Sequence, residues 1–128
     1  MNVVYRKIVK LLQIIISVFI KQNNDLILIA SCHGNRFADN SKYFFKHLVK
    51  YEYKNFYLLT KDKNLYISLN KEYPGKVLYS YSFKALILFC EAKFMFYSFS
   101  SSDWYPFQLS KNSTNVCLWH GAPLKKFG

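Results

Sequence analysis

From Leu26 onward, short apolar runs alternate with amphipathic stretches. Leu26-Ile27-Leu28-Ile29-Ala30 is a continuous apolar run, the mark of a strand buried on both faces. Phe56 to Thr60, Lys76 to Ser80, Lys93 to Ser98 and Asn115 to Trp119 read as four more strands. Between the first two, Phe44, Phe45, Leu48 and Val49 form an apolar stripe opposite Lys42, Lys46 and Lys50, which predicts an amphipathic helix. Asp39, Asn40 and Ser41 are its N-cap candidates. Asp62 to Tyr73 predicts a weaker helix that ends at a Pro74-Gly75 turn. Phe83 to Ala92, capped by Ser82, predicts a well-buried one. The polar stretch from Ser100 to Asn115 reads as loop.

Strands every 20 to 30 residues with helices between them predict βαβ units. The expected class is α/β: a Rossmann-like parallel sheet of about five strands, preceded by an amphipathic, apolar helix. Ligands of such sheets bind at the carboxyl ends of the strands. The loop after strand one (Ser31 to Asn40) and the segment after strand five (His120 to Gly128) both belong to that edge. No GxGxxG follows strand one, which argues against a dinucleotide cofactor.

The leading helix, Val3 to Ile20, has no Gly or Pro. Its apolar half, Leu11 to Ile20, is broken only by Gln13 and Ser17 and is too short to span a bilayer. Arg6, Lys7 and Lys10 cluster early, but no small-residue cleavage site follows, unlike a signal peptide. Two readings stand: a helix lying on an anionic membrane surface, with Arg6, Lys7 and Lys10 as its contacts, or a helix packed on its own domain or another. Residues 1–24 are accordingly separated from a domain at 25–128, with Asn23-Asn24-Asp25 as a polar break.

Among 128 residues, 18 Lys and Arg stand against 7 Asp and Glu, a net charge of +11. Such a surface favours anionic partners, although coding bias toward Lys, Asn, Tyr, Phe and Ile accounts equally well for part of the charge. Nucleic acid ranks last, because the aromatics fall in core-like runs rather than on a platform interleaved with Arg and Lys. Cys32, Cys90 and Cys117 are an odd set in or beside apolar runs, which suits buried thiols in a reducing compartment. Neither the CxxH spacing of Cys117 and His120 nor adjacent Cys32-His33 has a second ligand pair, so no metal is expected.

His120 is the candidate for chemistry, because it follows a strand at the ligand edge; a structural or merely exposed histidine is the plain alternative. His33 lies on the same edge, whereas His47 falls among lysines on an outer helix face. Ser100-Ser101-Ser102 lacks a nucleophile setting. Trp104 and Tyr105 either line an acceptor groove or pack.

The segment Trp119-His120-Gly121-Ala122-Pro123-Leu124-Lys125 resembles the WHG-x-PLK motif of the CDP-glycerol:poly(glycerophosphate) glycerophosphotransferases, the teichoic acid primases and polymerases. Gly34 to Tyr43 resembles that family's earlier glycine loop and helix start, in the right order. The resemblance covers most of residues 25–128. It implies the amino-terminal half of a GT-B-type fold, with a carboxyl-terminal donor domain and its second histidine as missing partners. It further implies CDP-glycerol as donor substrate with no bound cofactor, and a lipid-linked polyol-phosphate acceptor. The expected setting is the cytoplasmic face of the cell membrane, peripherally attached. By the resemblance His120 is the general base that takes the acceptor hydroxyl proton. Gly121 lets backbone approach a phosphate, and Lys125 or Lys126 offsets phosphoryl charge. Gly34 and Asn40 are the remaining substrate-binding candidates, with helix capping the alternative for Asn40. The expected activity is glycerol-phosphate transfer (or that of a ribitol-phosphate relative) with release of CMP; the alternative is a catalytically incomplete membrane- and acceptor-binding module.

Overall fold

All five apolar runs are strands of one sheet. The computed structural model describes residues 3–31, 35–98, 101–104, 106–108 and 113–118. The elements are α1 (Val3–Phe19), β1 (Asn23–Ile29), α2 (Asp39–Lys50), β2 (Phe56–Thr60), α3 (Lys63–Glu72), β3 (Val77–Tyr79), α4 (Phe83–Glu91), β4 (Ala92–Tyr97) and β5 (Thr114–Cys117), with a 3-10 turn at Ser101–Trp104. The strand order is β3-β2-β1-β4-β5, and every neighbouring pair is parallel. The chain steps outward twice from β1, then crosses back to its other side, as the Rossmann-like expectation requires.

Side-chain alternation divides β1 between two cores. Leu26 and Leu28 join Leu59, Leu78 and Met95 beneath α1 and α4. Ile27 and Ile29 join Phe56, Leu58 and Val77 beneath α2 and α3. On that second face Phe45 of α2 is fully buried. Its ring meets those of Tyr73, Phe56 and Phe37 edge-on at 5.0, 5.2 and 5.4 Å. Asp62 caps α3 by accepting from the N–H groups of Asn64 and Leu65 at 2.9 and 3.2 Å. Ser82 caps α4 through the Ala85 N–H at 3.2 Å. Gly75 takes a positive φ of 78° in the turn before β3, a conformation glycine adopts at little cost.

Four local expectations change. The cap of α2 is Ala38, with no side-chain hydrogen bond, because Asn40 and Ser41 are drawn to tertiary partners. Val49 of the expected stripe is exposed, whereas Phe45 and Leu48 are buried, since helical twist carries the fourth position off the sheet. β1 starts at Asn23, inside the expected polar break: Asn23 pairs with Ala92 across an irregular register, while its side chain stays exposed. Finally, the expected loop after β4 contains the 3-10 turn and two fully buried residues, Asp103 and Trp104. Trp104 packs edge-on against Phe89 at 5.6 Å; Tyr105 lies outside the described residues.

Helix α1 docks through one stripe, Tyr5, Val9 and Ile16, against the first core. Gln13 lies within that stripe and is itself buried. Its side-chain N–H donates to the Gln108 carbonyl and its oxygen accepts from the Gln108 N–H, both at 3.0 Å. The amide that interrupts the apolar run is thus paired through both its nitrogen and its oxygen. On the outward side, Val4, Ile8, Leu11, Ile15 and Val18 follow helical spacing and are all exposed, as is Phe19. Among the described residues no helix is long and apolar enough to cross a membrane.

Phe45→Ala is expected to cost about 3–5 kcal/mol in urea unfolding. Tyr43→Ala, at an exposed position of the same helix, should stay within about 0.5 kcal/mol.

Candidate functional site

The topological switch lies between β1 and β4. Beyond β1 the chain leads to α2 on one face, and beyond β4 it leads to the 3-10 turn, whose Trp104 belongs to the core of the other. Divergence of this kind opens the crevice in which α/β sheets bind ligands. Here its floor is polar and buried: Ser31, Ser41, Ser98 and Asp103 are each at most 1% exposed.

These groups form a connected chain. The Ser41 hydroxyl donates to the Ala30 carbonyl at 2.8 Å and lies 2.5 Å from the Ser98 hydroxyl. A serine has one hydroxyl proton, so with Ser41 committed to Ala30, Ser98 is the donor between the two. The Ser98 N–H donates to Asp103 Oδ2 at 3.0 Å, and the Cys117 thiol donates to the Ser98 carbonyl at 3.5 Å. The Ser31 hydroxyl turns back to the Arg36 carbonyl and shapes the start of the first loop. Together these bonds tie β1, α2, β4, the 3-10 turn and β5 at a single edge.

Asn40, expected as a substrate ligand or a cap, does a different job. Its side-chain N–H donates to the Leu118 carbonyl at 2.7 Å, across 78 residues of sequence. The Leu118 N–H donates to the Tyr97 carbonyl at 2.6 Å. The residue two before His120 is therefore held at both backbone groups, one by the sheet and the other by the first turn of α2. This is the one sequence candidate at the edge whose side chain is described. Gly34, His120, Gly121, Lys125 and Lys126, together with Cys32 and His33, lie outside the described residues. Arg6, Lys7 and Lys10 are exposed on α1, far along the chain from this edge, and His47 is exposed as expected.

Two charged residues near the crevice carry no motif. Lys61 directly follows β2, on the carboxyl edge. Burial lowers its ammonium pKa, and the Asp103 carboxylate offsets part of that shift. Burial likewise raises the Tyr97 phenol at the end of β4, helped by Cys117 and Asp103. A lysine right after an apolar strand run was the available signal for Lys61. Nothing in the sequence distinguishes Asp103 from an ordinary loop aspartate. Among the described residues no group of three His, Cys, Asp or Glu could hold a metal, and Cys90 and Cys117 are free thiols.

The profile of the family described as CDP-Glycerol:Poly(glycerophosphate) glycerophosphotransferase matches residues 12–128. The chain is 28% identical over 106 residues to a teichoic acid glycerol-phosphate transferase of Staphylococcus aureus, covering 83% of this chain and 26% of that protein. It is 31% identical over 110 residues to a teichoic acid poly(glycerol phosphate) polymerase of Bacillus spizizenii, covering 82% and 26%. Among solved structures it is similar to a variant of the wall teichoic acid polymerase TagF, with a TM-score of 0.57 and 19% identity over 78% of this chain and 23% of that one. A second TagF variant, soaked with CDPG, gives 0.61 and 18% over 80% and 24%. The two structures share the fold. The chain spans about a quarter of the length of the curated relatives it matches.

If the Asn40 side chain clasps β5, then Asn40→Ala should cost about 1 kcal/mol and speed amide exchange at Leu118 roughly tenfold. Asn40→Asp, which sets an acceptor against the carbonyl, should cost more. Unchanged exchange at Leu118 in both variants would refute the clasp.

Proposed function

This chain belongs to the CDP-glycerol:poly(glycerophosphate) glycerophosphotransferase family, and from that premise we propose that it forms the acceptor side of a transferase that moves glycerol phosphate from CDP-glycerol onto a teichoic-acid-like acceptor. The reading takes it as the amino-terminal half of a GT-B-type enzyme. A terminal hydroxyl of the acceptor attacks the β-phosphorus of the donor; a new P–O bond forms as the bond to CMP breaks, and His120 accepts the hydroxyl proton. Gly121 admits a phosphate close to backbone, Lys125 and Lys126 offset its charge, and Gly34 is a further substrate-binding residue. The observation that carries the reading is the Asn40–Leu118 clasp. It supports a single edge on which the first loop and the strand leading to His120 work together.

In the same proposal the protein works peripherally at the cytoplasmic face of the membrane, on a lipid-linked acceptor. The support is α1, whose outward face is apolar and exposed and whose Arg6, Lys7 and Lys10 lie along one border of that face at about 100° per residue. A second reading, a module that binds acceptor and membrane without turnover, draws on the same exposed apolar face of α1.

Incubation with CDP-glycerol and a lipid-linked acceptor separates the two. The transferase reading expects CMP release that drops about 100-fold or more in His120→Ala, whereas the module reading expects acceptor binding and no CMP. For the membrane, Val18→Asp combined with Phe19→Asp should remove most sedimentation with anionic vesicles, and raised salt should weaken the remainder.

A further inference from the structure

A groove of about 250 Å³ runs between α1 and the start of α4. Ile8 and Leu12 of α1 form one wall, Phe83 and Leu86 of α4 the other, and Phe107 closes it from the core side. The mouth is open, because Ile8 is 51% exposed, Leu12 39% and Phe83 67%. Ser80 also lines it, with its hydroxyl buried and lacking a hydrogen-bond partner among the described residues. The groove opens on the carboxyl side of the sheet, since Ser80 directly follows β3 and Phe83 begins the next helix.

We propose that this groove takes one acyl chain of a glycerolipid. Ile8 and Leu12 belong both to the groove and to the outward apolar face of α1, so whatever covers that face continues directly into the groove. The apolar walls suit a hydrocarbon chain, while Ser80 offers a donor that the lining leaves unused, and an ester carbonyl accepts from such a donor. The inference rests on the reading of α1 as a membrane-surface helix, and it adds a specific lipid site to that surface.

The test uses the full chain and dihexanoylphosphatidylglycerol below its micelle concentration, so that no membrane surface is present. Saturable binding is expected, with the largest NMR shifts at the amides of Ser80, Leu86 and Phe107. Leu12→Glu at the groove mouth should weaken it about tenfold or more. Ser80→Ala, which leaves the walls intact, should weaken it less, and only for the ester-bearing probe, not for decyl sulfate. The Val18→Asp, Phe19→Asp variant should lose vesicle sedimentation yet bind the monomeric lipid as before, which separates failure of the groove from failure of the membrane reading. The proposal is overturned by absence of saturable binding, by insensitivity to Leu12→Glu, or by equal loss in the Val18, Phe19 variant. Tighter binding of farnesyl monophosphate than of the diacyl probe also overturns it, as does a dimer in solution that Leu12→Glu dissociates and the lipid does not displace.

Discussion

A parallel sheet with a topological switch has a weak place where two adjacent strands send their chains to opposite faces. In this protein that place is held by hydroxyls. Ser41 reaches from α2 to the Ala30 carbonyl and to Ser98, and Asp103 receives the Ser98 N–H from below. Every member is buried, so each bond is made away from water, where an unmet partner is costly. The positions of α2, of the 3-10 turn and of the exit from β5 all depend on this chain. So would the phosphoryl transfer proposed for this edge, because its catalysis is mostly positioning and electrostatics.

Much of the fold is legible in the sequence, for a simple reason. A strand buried on both faces has to be apolar throughout, and Leu26 to Ala30 or Phe56 to Thr60 can hardly be read as anything else. Asp62 and Ser82 cap as their spacing predicts, because nothing competes for them. What escapes the sequence is polar groups recruited over distance. Asn40 and Ser41 look like caps for α2, yet Leu118 and Ser98 claim them, and a residue 78 positions away leaves no local trace. Asp103 sits among serines and reads as solvent-facing, although it is fully buried. The candidate site was therefore legible as the carboxyl edge of a sheet, not as the network that holds that edge together, and the histidine expected beside it lies outside the described residues.

The two ends of the described chain have opposite characters. The carboxyl edge of the sheet is tight, satisfied and polar within. Helix α1 is docked by a narrow stripe and presents apolar side chains in every other direction except its basic border. The transfer proposed above, onto a lipid-linked acceptor, would call on both: a rigid frame for the reacting atoms and an adherent face that keeps the frame near its substrate. The groove beside α4 lies where the two meet.

The Gln13 amide gives the docked stripe a property that grease alone does not provide. An apolar helix on an apolar sheet can turn about its own axis or slide by a residue at small cost, since one hydrocarbon contact replaces another. Two antiparallel hydrogen bonds to the Gln108 backbone do not tolerate such slippage, because both would break together and leave buried polar groups unmet. Gln13 thus acts as a keyway. It sets the azimuth of α1, and with it which side chains the protein shows to the outside.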